Sequence, residues 1–304
     1  MSGLIYGMIA TEELPFKQPI NKQQVLGCYK IDRYLEIKEE NAFIGCGLLH
    51  ITKENETEIL PLYNVNHTQL IAADVILDNR QELYEALGLN MGESRSDSEL
   101  ILLAYEKWGV DCPNHLIGDF SFVIWNKAKD EIFCARDATG TRTFYYTFEE
   151  GTFYFGSVIK AITALHAKAT SIHIQWIVNF LSNEIPMSQF DCESTPYEGI
   201  KQLPPAHSLL IRQHELLLTQ YWQPLKTVKP LKLPNDTAYR EAFLKLFKEC
   251  VDCRLTTNNG ILLSGGLDSS SIASLAATTL QKKQQSLEAF SAIPIQDYKD
   301  YVIE

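Results

Sequence analysis

Apolar residues fall in short runs, punctuated by turn residues, through the first two thirds of the chain. Ala42 to Leu49, Gln69 to Leu77, Gly118 to Trp125, Glu131 to Arg136, Thr143 to Phe148, Thr152 to Ser157 and Ser208 to Arg212 each predict a strand. The opening stretch from Met1 to Ala10 has an apolar core and predicts the first. Such short, closely spaced runs predict stacked antiparallel sheets. Helices are fewer here. The clearest follows Ser96-Asp97-Ser98, where an N-cap candidate precedes Glu99 to Trp108 and Gly109 supplies a stop.

The pattern changes after Trp222. Residues 223–235 carry Pro224, Pro230 and Pro234 among Lys and Thr, a composition that resists regular structure and predicts a linker. Beyond it come a helix from Asn235 or Asp236 to about Leu255, a strand from Gly260 to Ser264, a glycine turn, a helix from Asp268 to Leu280 and a strand from Leu287 to Ile293. Strand and helix in alternation predict the opening of a parallel α/β domain. Two strands and two helices make a poor core for a nucleotide-binding sheet, so the domain is expected to be unfinished at Glu304. The expected division is 1–222, a linker at 223–235, and 236–304; the fold class is α+β followed by α/β.

Composition narrows the function classes. A net charge of −11, from 38 acids against 27 bases, argues against nucleic acid, whose phosphates need clustered Lys and Arg. No apolar stretch approaches the roughly 18 residues of a membrane span, and no basic segment precedes the apolar start. Seven scattered cysteines suit reduced thiols in the cytoplasm. The one close pair, Cys250 and Cys253, has no second pair at zinc spacing. It falls in a segment where Tyr239, Phe243, Leu246, Phe247, Cys250 and Val251 follow helical steps, which predicts buried packing.

The chemistry concentrates at Ser264-Gly265-Gly266-Leu267-Asp268-Ser269, between a strand and a helix. Glycines at Gly265 and Gly266 let backbone N–H groups approach phosphate oxygens. The helix N-terminus adds free donors and partial positive charge, and Ser264 and Ser269 add hydroxyls. Asp268 is unsuited to bare phosphate and is expected to face magnesium or cap the helix. The string is neither a Walker loop nor a dinucleotide fingerprint. It resembles the S-G-G-x-D-S loop of the ATP pyrophosphatases, which cleave ATP between its α- and β-phosphates.

Over essentially its whole length the chain then resembles asparagine synthetase-type proteins. The resemblance is carried by Leu116 to Trp125, Ala135 to Tyr146, Phe155 to Lys160, Ile200 to His207 with Tyr221-Trp222, and Arg254-Leu255 leading into Gly260 to Ser270. It implies an Ntn-hydrolase-like, glutaminase-type antiparallel sandwich followed by an ATP-pyrophosphatase domain. Three departures stand out. Ser2 holds the place of the family's nucleophilic cysteine. Asp74-Val75-Ile76 replaces Asn-Gly-Glu, putting a carboxylate where an oxyanion would form. Phe43 to His50 lacks the Arg-His-Arg-Gly-Pro glutamine loop. Asp97 still matches the carboxylate that holds the substrate amine, a place that a helix cap would fill equally well.

The resemblance therefore implies adenylation without an ammonia source, a combination similar to the lasso-peptide macrolactam cyclases. These activate a side-chain carboxylate of a precursor peptide and close a ring with its own amine. On this reading ATP and Mg²⁺ are the cofactors. The nucleotide is held by Leu263, Ser264, Gly265, Gly266, Asp268, Ser269 and Ala292, with Asp268 toward the metal. Acceptor-pocket residues are expected beyond Glu304. The partners are a precursor peptide, a leader peptidase and a leader-binding protein. Alternatives are an ammonia-dependent asparagine synthetase and a non-catalytic fragment or scaffold. Arg136 and Asp137 are expected to form a structural ion pair.

Overall fold

The computed structural model describes residues 3–10, 25, 31–50, 58–90, 92–166, 168–169, 171–182, 192–256 and 258–292. Two compact units divide at Val228 and Lys229, within the proline-bearing segment. The first unit holds two six-stranded antiparallel sheets. In chain order its strands are β1 (Gly3–Ala10), β2 (Arg33–Lys38), β3 (Ala42–Leu48), β4 (Leu62–Tyr63), β5 (Gln69–Leu77), β6 (Gly118–Asn126), β7 (Glu131–Arg136), β8 (Tyr145–Glu149), β9 (Thr152–Gly156), β10 (Lys201–Gln202), β11 (His207–Arg212) and β12 (Glu215–Gln220). One sheet runs β10-β8-β9-β1-β3-β2, the other β12-β11-β7-β6-β5-β4.

The pleat explains why β1 is buried along all eight residues. Ile5 and Ile9 enter the large core shared with the second sheet, while Tyr6 and Met8 join Ala161, Ile162 and Leu165 on the other face. Those three belong to α3 (Ile159–Leu165), so this sheet is covered on both sides. α1 (Arg80–Leu87) packs against α2 (Asp97–Trp108), which covers the second sheet at β5 and buries Leu100, Ile101 and Ala104. Gly118 starts β6 at φ +148, with the Ile76 carbonyl oxygen 2.2 Å from where a Cβ would stand. A side chain there would push β5 and β6 apart.

The start of α2 follows its sequence signal. The Glu99 N–H donates to Ser96 Oγ at 3.2 Å and the Ser96 N–H to the Glu99 carboxylate at 2.7 Å, a reciprocal cap. Gly109 takes φ +60 at the other end. Among the described residues this unit also has α4 (Ile174–Ser182) and α5 (Pro224–Thr227), the latter a single turn inside the expected linker, and a 3-10 turn over Gly109–His115.

The second unit contains α6 (Asp236–Asp252), β13 (Asn259–Leu262), α7 (Leu267–Lys282) and β14 (Leu287–Phe290). β13 and β14 are parallel, in register from Asn259 with Leu287 to Leu262 with Phe290. The expected burial of the α6 stripe is not what the structure has. Val251 is buried, yet Tyr239, Phe243, Leu246 and Cys250 are exposed, because α7 and the two-stranded sheet are too small to cover a five-turn helix.

Candidate active site

The glycine loop connects β13 to α7, and two bonds fix its entrance. The Leu263 N–H donates to the Phe290 carbonyl at 2.8 Å, and Ser291 Oγ donates to the Leu263 carbonyl at 2.8 Å. Both partners lie at the end of β14, one and two residues before Ala292. Gly265 adopts φ +80, a left-handed conformation that costs an L-residue energy, and no atom stands within 4 Å of its missing Cβ. Gly266 is the N-cap of α7 and has no side chain to cap it. The first-turn N–H groups of Leu267, Asp268 and Ser269 have no intrahelical acceptor and point out of the helix end.

Ser264 and Ser269 meet across this mouth, their hydroxyls 3.1 Å apart, and the Gly266 N–H lies 3.4 Å from Ser264 Oγ. Loop, hydroxyls and helix end thus come together at one exposed turn whose N–H groups suit a phosphate oxygen. Asp268 is exposed in the first turn of α7, two positions past the N-cap and too far along to cap it. It is a single carboxylate; among the described residues no three His, Cys, Asp or Glu side chains cluster as a metal site. A cation here would complete its shell with phosphate oxygens and water. The bond from Ser291 to the loop's entrance could not be read from the sequence, where a serine after a strand carries no distinguishing pattern.

A second constellation lies in the first unit. Asp74, on β5, is buried, and its Oδ1 accepts the Gly3 N–H at 3.1 Å and sits 3.6 Å from Arg142 Nε. Arg142 is also buried and is delivered there by a backbone knot. Its N–H donates to Asp137 Oδ2 at 2.9 Å, and its carbonyl accepts Arg136 Nε at 2.5 Å. Asp137 further accepts from the N–H groups of Thr139 at 3.1 Å and Thr141 at 2.9 Å, while Arg136 donates to the Leu203 and Gly140 carbonyls at 2.7 Å. The expected Arg136–Asp137 ion pair is therefore replaced by two separate clamps on one loop. A carboxylate and a guanidinium satisfy more backbone groups that way than by bonding each other.

Asp97 is neither a free amine-binding carboxylate nor the helix cap. Its oxygens take the Arg80 guanidinium and the Leu77 N–H, the latter at 3.1 Å. Burial pushes its pKa up to about 6, with Arg80 pulling the other way. Nearby, Glu58 is buried and accepts the Ser98 N–H at 3.2 Å. Cys46 is fully buried; desolvation first, then Glu58 and Asp74, push its thiol well above the ordinary range, which favours the inert thiol over the thiolate. The Ser2 position lies outside the described residues.

With this geometry in hand, similarity to known proteins resolves the family. A family profile described as a glutamine amidotransferase domain matches residues 26–222, and one described as asparagine synthase matches residues 242–301. The chain belongs to the glutamine amidotransferase domain family. Its second match makes it asparagine synthetase-like. It is 33% identical over 196 residues to the glutamine-hydrolysing asparagine synthetase 3 of Bacillus subtilis, covering 63% of this chain and 30% of that protein. It is 28% identical over 233 residues to a putative glutamine-hydrolysing asparagine synthetase of Methanocaldococcus jannaschii, covering 69% and 43%. It is also 28% identical over 207 residues to the amidase chyE of Penicillium rubens, covering 66% and 29%. The chain thus spans less than half the length of these relatives. Among solved structures, a glutamine phosphoribosylpyrophosphate amidotransferase from B. subtilis aligns over 97% of this chain and 63% of its own, at TM-score 0.44 and 13% identity.

Within this asparagine synthetase-like chain the two constellations have opposite characters. The loop at Ser264 to Ser269 is open and its donors face outward. Asp74 and Asp97 are engaged instead by the protein's own Arg142 and Arg80, each carboxylate also holding a backbone N–H. No helix among the described residues is long and apolar enough to cross a membrane.

Proposed function

We propose that this chain supplies the nucleotide-binding loop of an AMP-forming amide ligase whose amidotransferase half no longer hydrolyses glutamine. The observation carrying the reading is Asp74. A buried carboxylate, held by the Gly3 N–H and Arg142, occupies the place where the family resemblance puts an oxyanion donor, and negative charge there opposes the tetrahedral intermediate. Adenylation is retained on this view. Ser264, Gly265, Gly266 and Ser269 take the pyrophosphate end of ATP, while Leu263 and Ala292 flank the adenine. A magnesium ion near Asp268 would lower the charge on the leaving pyrophosphate. A substrate carboxylate oxygen attacks the α-phosphorus and expels pyrophosphate; an amine then attacks the acyl carbon, loses a proton and releases AMP.

The amine must come from elsewhere than glutamine. We assign it to the N-terminal amine of a precursor peptide whose own Asp or Glu side chain is activated, giving a macrolactam, in a cytoplasmic pathway with a leader peptidase and a leader-binding protein. The names of the relatives favour a second reading, ammonia-dependent conversion of aspartate to asparagine. The natural full-length protein, given ATP, magnesium and a leader-cleaved peptide, should yield a peptide lighter by one water together with equal AMP and pyrophosphate. ADP and orthophosphate would sink the adenylation chemistry. AMP with asparagine, formed from aspartate and ammonia, would replace the cyclase with the synthetase.

A further inference from the structure

β13 and β14 stay in parallel register up to Leu262 and Phe290, and one further backbone bond, from the Leu263 N–H to the Phe290 carbonyl at 2.8 Å, closes the ladder. The next bond comes from a side chain. Ser291 Oγ donates to the Leu263 carbonyl at 2.8 Å, an ordinary length for a hydroxyl donor. Ser291 therefore grips the peptide that joins Leu263 to Ser264, the last one before the two glycines.

In a planar trans peptide the C=O and N–H point in opposite directions. With the Leu263 carbonyl turned to Ser291 at the end of β14, the Ser264 N–H must point away from that strand. Its partner is Ser269 Oγ, 3.3 Å away in the first turn of α7. Gly265 and Gly266 follow without side chains, so the hold on this peptide comes from its neighbours, Ser291 on one side and Ser269 on the other.

The two holds differ in strength. On the strand side both bonds to Leu263 are 2.8 Å long. On the helix side the Ser264 N–H lies 3.3 Å from Ser269 Oγ and the Gly266 N–H 3.4 Å from Ser264 Oγ, past the usual limit of about 3.2 Å for an N–H donor. The strand side sets the peptide plane. The N–H groups facing the loop are aimed but weakly engaged, and a charged oxygen is a stronger acceptor than the hydroxyls they now meet.

We infer that Ser291 is a positioning residue of the nucleotide site: its hydroxyl, through the Leu263 carbonyl, aims the Ser264 N–H at a phosphate oxygen of the pyrophosphate end. This rests on the nucleotide reading proposed above and adds to it a residue outside the glycine loop. Ser291 acts through Ser264, without contact with the ligand.

The test compares Ser291→Thr with Ser291→Val in the natural full-length protein. Both side chains are β-branched, suit an extended backbone and differ in the hydroxyl. Calorimetry with MgATP, magnesium pyrophosphate and AMP separates the two ends of the nucleotide. An N–H bond to a charged oxygen is strong enough that losing its aim lowers affinity about tenfold. Ser291→Val should weaken MgATP and pyrophosphate by that same factor and leave AMP, which lacks the pyrophosphate end, within about twofold of the parent. Ser291→Thr should bind all three like the parent. Unchanged MgATP binding in Ser291→Val, or an equal loss in Ser291→Thr, would overturn the positioning role and leave the nucleotide site standing. AMP weakened as much as MgATP would also overturn it, by making Ser291 a general support of the strand ends. A parent protein that binds neither MgATP nor pyrophosphate would overturn the nucleotide reading itself.

Discussion

Replacing either loop glycine with a larger residue separates two effects that a single variant would confuse. At Gly265, with φ +80, any L-residue is strained by about 1–2 kcal/mol, although its Cβ would meet nothing within 4 Å. If binding requires that conformation, strain alone lowers affinity roughly five- to thirtyfold. Gly266 is different: its φ of −76 and ψ of 166 suit any residue, and a Cβ would stand an ordinary 3.5 Å from Ser264 Oγ. Gly266→Val therefore leaves the loop unstrained and can act only by screening the N–H groups at the helix end. Each bond from such a donor to a charged oxygen contributes about 1.5–3 kcal/mol, so loss of one lowers MgATP affinity about ten- to a hundredfold. Titration calorimetry with MgATP, alongside thermal melting, reads both. Should Gly266→Val melt like the parent and bind MgATP within about twofold of it, the loop is not a phosphate cradle, whatever Gly265→Ala does.

Three other outcomes follow from the first unit. Asp74 and Arg142, 3.6 Å apart and buried, attract by about 5 kcal/mol at an effective dielectric of 20; Asp74→Asn and Arg142→Gln should each destabilise by about 3–5 kcal/mol, and in urea unfolding the double variant should fall short of their sum by at least about 2 kcal/mol. Additive losses would mean the pair is not coupled. Asp97 has a folded pKa of about 6 against an ordinary 3.8, so the native state holds its proton more tightly and this residue's contribution is full below 3.8 and lost as pH rises through 6; Asp97→Asn should flatten stability across that window, and an unchanged slope would contradict the assignment. Glutamate release from glutamine should stay at the level of heat-killed protein, and Ser2→Cys should not restore it, since Asp74 remains; measurable turnover in that variant would show the oxyanion position to be misassigned.

Much of the sandwich could be read from the chain because its strands are bounded by turn residues and carry β-branched and aromatic side chains. Ala42–Leu48, Gln69–Leu77 and Glu131–Arg136 fall within a residue of their expected limits. Edge elements were illegible for the complementary reason. β2 has charges at Arg33, Glu36 and Lys38 because part of its surface meets water, and β12 has three leucines in a row, which show no alternation. The glycine loop stood out because its residues are contiguous. The Asp74–Arg142 pair did not: a long-range contact leaves no spacing in the sequence, and only the knot around Asp137 makes it geometrically necessary. Periodicity misled at α6, where a helical stripe announces that a partner is needed without supplying one.

Arg142 also constrains what this protein can become. Placing an amide at Asp74 would strand a buried guanidinium, while removing Arg142 first would strand a buried carboxylate, so either order passes through a form several kcal/mol less stable. A domain of this size has only about 5–15 kcal/mol in hand, and most random drift already erodes it. On the proposed reading the Asp74–Arg142 pair therefore acts as a ratchet: it puts an amide-bearing oxyanion site at this position out of reach of any single substitution.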